Sequence, residues 1–200
     1  MIPIPIYIID QLRSHIINQC PIAEAGWEFA NQDEDTLTGD FFGRMRTNWE
    51  EYNNYTWRFY YNKIRGRGKG ALEKTIGADG IITLHYIDQI TKLEYYKSLV
   101  FQAKKENNSI DPSQWQKMNK FFPNGNIIIS YGADGYNSYL ESLNKKIKLC
   151  DIIADNFLNC YIGIEGLYYD HKENKFVRPN NIPIKEMIKH EVLIEVFKNP

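Results

Sequence analysis

The stretch Ile76–Lys105, IGADGIITLHYIDQITKLEYYKSLVFQAKK, decides how the chain is read. It consists of two extended segments joined by a polar connection, with Asp79 at the start of the first and Gln102 and Lys104 near the end of the second. Alternation along Ser98–Lys104 sets Leu99, Phe101 and Ala103 on one face and Val100, Gln102 and Lys104 on the other. Two polar side chains therefore leave one face of a strand that is otherwise buried. Such groups are costly to bury unless they are paired, bound to a metal or held to a ligand. If the two strands pair, Asp79 and the Gln-x-Lys meet at one spot. That spot is the candidate site.

On the N-terminal side, Glu34–Met45 (EDTLTGDFFGRM) is the most informative helix. Leu37, Phe41 and Met45 mark its inward stripe. At about 100° per residue Glu34 falls on the same line as Thr38, Phe41 and Met45. A carboxylate aimed along a core stripe is a candidate site residue; the bland reading is an acid complementing the helix dipole, as Asp33 and Asp35 do beside it. Before it, Ile8, Ile9, Leu12, Ile16 and Ile17 predict a helix over 7–19 that ends near Pro21, and a second helical stretch starts after that proline. Tyr55–Asn62 (YTWRFYYN) alternates as a strand. Lys63–Gly70 (KIRGRGKG) then packs four cations and three glycines into eight residues. Glycine lets a backbone approach phosphate while Arg65, Arg67 and Lys69 supply charge, although a solvated hairpin tip has the same composition. The G-x-x-x-x-G-K-[ST] spacing of a phosphate-cradling loop is absent.

On the C-terminal side, Asp111 and Pro112 read as the N-cap and first position of a helix whose inward stripe is Trp115, Met118 and Phe122. Gln114 and Gln116 flank that stripe, with Gln114 closer to the buried edge. Asn126–Tyr131 (NIIISY) is apolar enough for an interior strand. The second GADG, Gly132–Gly135, is a turn around Asp134. Residues 137–158 predict a helix through Leu140, Leu143, Ile147, Cys150 and Ala154. Tyr161–Tyr169 and Lys175–Arg178 predict a strand pair, and a closing helix runs from Asn181 to about Val196. The resulting class is α/β, a mixed central β-sheet of about five strands flanked by helices.

The totals bound the function. With 200 residues the chain is read as one domain, with a core at about 30–135 and an extension at about 136–200. A net charge of −1 and a pI near 6.4 exclude a global field that would draw the protein onto nucleic acid, so any such contact needs a local patch. The 14 tyrosines are read as packing residues before a tyrosine-lined binding surface. Cys20, Cys150 and Cys160 are odd in number and lack a C-x-x-C pair, which predicts neither a disulfide framework nor a zinc site and favours a reducing cytoplasm. His15, His85, His171 and His190 show no metal-ligand spacing. The opening MIPIPIYIID is too short and too acidic for a leader or a membrane span.

Glu34 on a helix, Asp79 at a strand start, Gln102-x-Lys104 on the next strand and QWQKM on the following helix form an ordered set. Over about residues 30–135 that set resembles the restriction-endonuclease-like superfamily, the PD-(D/E)xK nucleases, in the branch with Gln in place of the third acid. The resemblance implies a nuclease-like domain and a divalent-metal-dependent endonuclease cutting DNA, double-stranded by preference, of the kind found in bacterial restriction and anti-phage defence. Its cofactor would be Mg²⁺, or Mn²⁺ in its place. Glu34, Asp79, Gln102 and the Ala103 carbonyl would hold the ion, and Lys104 would orient water or stabilise charge on phosphate. Arg65, Arg67, Lys69, Gln114 and Gln116 would contact nucleic acid. The neutral Gln102 departs from the commoner pattern and weakens metal binding. Lys105 and Glu73 are rivals for the lysine and helix-carboxylate roles. No sensor region is visible, which leaves activation to a separate protein or to homo-oligomerisation. Two competing classes are a DNA-binding module of the same fold without catalysis and a protein-assembly or adaptor subunit.

Overall fold

Hydrophobic alternation and helical stripes organise the computed structural model, which describes residues 2–64, 76–140, 146–178 and 183–200. Helices α1 (Ile6–Glu24), α2 (Trp27–Ala30) and α3 (Glu34–Arg44) come first, followed by strands β1 (Glu50–Tyr52), β2 (Tyr55–Lys63), β3 (Gly80–Asp88) and β4 (Glu94–Lys105). Helix α4 (Pro112–Phe121) leads into β5 (Asn126–Gly132), β6 (Gly135–Tyr139) and β7 (Lys146–Lys148). A short helix α5 (Leu149–Asp151) continues as a π-helical turn, Ile152–Phe157, before β8 (Ile164–Glu165), β9 (Tyr168–Asp170), β10 (Lys175–Val177), β11 (Ile184–Lys185) and β12 (His190–Lys198).

The fold is α/β, and among the described residues the mixed sheet has nine strands, more than the expected five. Its order is β1-β2-β12-β3-β4-β5-β6-β7, with β8 pairing β4. The anticipated pairing of β3 and β4 is present, antiparallel, with Gly80 opposite Phe101. Beyond it, β5 runs parallel to β4 after the α4 crossover. A separate sheet has the order β11-β10-β9, so the expected strand pair near the C-terminus forms as β9 and β10.

Two cores lie on opposite faces of the large sheet, as the alternation along β4 requires. Leu99, Phe101 and Ala103 face the larger core with α1 and α3, whereas Val100 faces a smaller one built with Met118 of α4, Phe122 just past its end, and Tyr169 and Phe176 of the small sheet. Helix α3 starts where Asp33 accepts a hydrogen bond from the Thr36 N–H, at 2.7 Å. Its Thr38 is buried and accepts a 2.9 Å hydrogen bond from the Tyr131 hydroxyl on β5.

Four expectations change. Helix α1 runs through Pro21 to Glu24, because the proline forfeits one backbone bond while Cys20 and Ala23 stay on the buried stripe. The expected helix over 137–158 forms only in its last part, as α5 and the π-helical turn Ile152–Phe157; β6 and β7 take its earlier part, where Tyr136 and Ser138 alternate inward from a hairpin that turns at Asp134, and residues 141–145 lie outside the described residues. The expected closing helix to Val196 is replaced by β12, which lies between β2 and β3, antiparallel to the first and parallel to the second. Val192, Ile194 and Val196 face the large core. On the other face Glu195 pairs with Arg58, and Glu191 lies 2.9 Å from the His171 Nε2. Finally, Cys20 and Cys150 are disulfide-bonded with Cα atoms 6.3 Å apart, a pairing across 130 residues that packing of α1 against α5 creates and local spacing cannot show. Cys160 is free. Among the described residues no helix is long and apolar enough to cross a membrane.

Candidate functional site

Strands β3, β4 and β12 bring their site-bearing ends together beside the first turn of α3. The pocket they enclose there measures about 200 Å³. Glu34, Asp79, Gln102, Ala103, Lys104 and Gln114 all line it, so the scattered constellation of the sequence is one site in space. Asp35, Gly77, Lys189 and His190 complete the wall.

Asp79 is 8% exposed and is fixed from several sides. Its Oδ2 accepts the Ala103 N–H at 3.0 Å, and its Oδ1 lies 3.5 Å from the Lys189 ammonium. Its backbone N–H donates to the Phe101 carbonyl, while its carbonyl accepts from the N–H groups of Lys189 and His190. Two glycines of the GADG turn have steric reasons. Gly77 has φ +85°, a left-handed conformation, and packs against Gln114. A Cβ on Gly80 would lie 2.5 Å from the His190 carbonyl oxygen. Beneath the turn, the buried Glu186 carboxylate accepts hydrogen bonds from the N–H groups of Ile76, Gly77 and Ala78.

Gln102 is 3% exposed, and its Nε2 donates to the Gln114 Oε1 at 2.6 Å. Its own Oε1 is buried and has no hydrogen-bond partner among the described residues. That leaves one neutral oxygen without a donor in a pocket of carboxylates. Lys104 lines the pocket, whereas the rival Lys105 turns away: its ammonium donates to the Asn31 carbonyl at 2.7 Å and sits 5.7 Å from the Trp27 ring centre. The Glu34 carboxylate reaches across to the end of β4. There its Oε1 accepts from the Lys105 N–H and, at 2.6 Å, from the Asn108 side chain.

Asp35, expected to be a solvated dipole partner, is instead part of the wall. Lys63 holds it at 2.6 Å, and its Oδ1 lies 2.9 Å from the His190 Nε2 without the alignment of a hydrogen bond. Burial pushes its pKa up, but the Lys63 bond and the positive side chains of Lys63 and Lys189 outweigh this and the net shift is downward. Burial drives His190 down to about 4 despite Asp35 and Asp79, so its imidazole is neutral at neutral pH. The His190 Nδ1 lies 2.8 Å from the Tyr61 hydroxyl, and in the neutral tautomer with its proton on Nε2 it accepts from that hydroxyl. The same burial, helped by the Asp35 charge, raises Tyr61 to about 12.

Other assigned residues do not join the site. Gln116 is exposed on α4 and does not line the pocket, because it lies about 100° past Trp115 on the side away from Met118. Arg65, Arg67, Lys69 and Glu73 lie outside the described residues. Sequence reasoning missed Asp35, Glu186, Lys189 and His190. The signal for the last two was the alternation of His190–Val196, which marks a strand whose first residues face a sheet edge shared with Asp79.

Among the described residues no group of three or more His, Cys, Asp or Glu could hold a metal ion. Mg²⁺, however, takes oxygen ligands, commonly one or two carboxylates plus water and substrate phosphate. The oxygen-bearing side chains that line the pocket are Glu34, Asp35, Asp79, Gln102 and Gln114. Compared with known protein families, curated proteins and solved structures, the chain matches none.

Proposed function

We propose that this pocket is the active site of a divalent-metal-dependent endonuclease that hydrolyses phosphodiester bonds in DNA, built on a restriction-endonuclease-like core. The observation that carries the reading is the gathering of Glu34, Asp79, Gln102 and Lys104 in one pocket, with a buried Gln102 oxygen that has no donor. Asp79, Gln102 and the Ala103 carbonyl would hold Mg²⁺ or Mn²⁺, with an α3 carboxylate as further ligand. The ion would polarise the scissile phosphoryl group and lower the pKa of an attacking water. Gln114 fixes the Gln102 amide through its 2.6 Å hydrogen bond, which leaves the oxygen of Gln102 for the site. Lys104 is the ammonium that stabilises charge developing on phosphate. Lys189 neutralises Asp79 from the opposite side and offers a second cation to the phosphate backbone.

The test is supercoiled plasmid incubated with Mg²⁺, Mn²⁺ or EDTA. Wild type should cut with either metal and not with EDTA, and Asp79→Ala or Lys104→Ala should abolish cutting while the circular dichroism spectrum is retained. Cutting by either variant at the wild-type rate would remove the assignment.

A second reading, DNA binding without catalysis, is favoured by one observation: the third acid is replaced by neutral Gln102, and the Asp79 charge is already met by Lys189. That reading predicts retention of DNA in a gel shift that EDTA does not alter, together with intact plasmid at every metal concentration.

A further inference from the structure

The Asp79 turn is held by a carboxylate that arrives from far along the chain. Glu186 is fully buried. Its Oε2 accepts the Ile76 N–H at 2.7 Å, and its Oε1 accepts the N–H groups of Gly77 and Ala78 at 2.9 and 2.8 Å. The partners are 108 to 110 residues apart in sequence, so this is no local turn motif. Ile76 and Ala78 point into the smaller core, where water cannot satisfy their amides. A buried carboxylate is itself costly unless several donors surround it, and three converging N–H groups are such a set.

Glu186 is in turn held by the small sheet. Its backbone N–H donates to the Asn174 carbonyl at 3.0 Å, and its carbonyl accepts from the Tyr169 hydroxyl at 2.8 Å. Tyr169 and Phe176 pack edge to face, and Phe176 does the same against Phe122 at the C-terminal end of α4. Three and four residues beyond Glu186, the Lys189 and His190 N–H groups grip the Asp79 carbonyl. The segment between β11 and β12 therefore fixes the turn below and above its functional carboxylate.

We propose that Glu186 is the positioning residue of the site and that the sheet β9–β11 exists to deliver it beneath the Ile76–Asp79 turn. The role rests on the reading of the pocket as a cation site: Glu186 touches no substrate, and it sets the direction in which Asp79 presents its oxygens. Groups that orient metal ligands in this way typically change metal affinity or activity about 10- to 100-fold when altered.

The experiment compares wild type, Glu186→Gln and Ile16→Val by Mn²⁺ titration and by amide hydrogen exchange. Glutamine keeps the shape but turns an NH₂ group toward one of the three donors, while Ile16→Val loosens the large core far from the turn. In Glu186→Gln, exchange at the amides of residues 76–78 should rise about tenfold or more relative to the rest of the sheet, and Mn²⁺ affinity should fall about 10- to 100-fold. Ile16→Val should show neither change. Wild-type protection of those amides in Glu186→Gln overturns the proposal, as does unchanged Mn²⁺ affinity when the amides are freed. If wild type binds no Mn²⁺, the nuclease reading falls, and the exchange result alone decides whether Glu186 holds the turn.

Discussion

The hydroxyl pair that joins α3 to β5 makes a sharp energetic prediction. Tyr131 is fully buried and its hydroxyl donates to Thr38 Oγ1, which itself donates to the Glu34 carbonyl one turn earlier. Thr38→Val keeps the volume but strands the Tyr131 hydroxyl, and a buried donor without a partner costs about 1–3 kcal/mol. Taking about 2 kcal/mol, and a fall of about 2–4 °C per kcal/mol in a domain of this size, the melting temperature should drop by roughly 4–8 °C. Tyr131→Phe removes the donor and leaves Thr38 satisfied by Glu34, at about 1 kcal/mol. The double variant has no stranded group, so it should sit near Tyr131→Phe and well above the additive sum of about 3 kcal/mol. Urea unfolding of all four proteins closes the cycle. A double variant destabilised by the full sum would refute the hydroxyl pair and, with it, the anchoring of the helix that carries Glu34 and Asp35.

Other expectations follow from the same geometry. Oxidised protein should show one free thiol on denaturation, that of Cys160, and reduction should lower stability by up to about 5 kcal/mol, the chain-entropy figure for a loop of this length; three titratable thiols would remove the cross-link. His190 has a folded pKa of about 4 against 6.5 when unfolded, so the unfolded chain binds the extra proton between those values. Its contribution is therefore complete above pH 6.5 and is lost as pH falls through about 4, and His190→Gln should flatten the stability profile over that window. Lys105→Ala should leave plasmid cutting unchanged where Lys104→Ala abolishes it, since only Lys104 lines the pocket. Equal loss in both would reverse the facing of the strand end.

Where local pattern and burial agree, the chain is legible. Alternation on β4 placed Gln102 and Lys104 on the face opposite Leu99 and Phe101, and the helical stripe aimed Glu34 inward. Asp35 was hidden because it is one residue off that stripe. The pocket sits at the first turn of α3, where two successive side chains both reach it. Strand β12 was hidden by a coincidence of spacing: Ile184, Ile188, Val192 and Val196 recur every fourth residue and imitate a helix, while Val192, Ile194 and Val196 carry the true period of two. The Cys20–Cys150 pair and the Glu186 clamp are properties of tertiary packing over more than a hundred residues, and no local window contains them.

Because β12 is the filling between β2 and β3, those two strands have no direct ladder with each other. During synthesis the edges that β2 and β3 offer to β12 stay unpaired until residues 190–198 have been made. Until then the Asp79 carbonyl lacks the Lys189 and His190 N–H groups that grip it, and the pocket lacks one wall. The pocket is thus completed only when β12, made after every other strand of the large sheet, docks between β2 and β3.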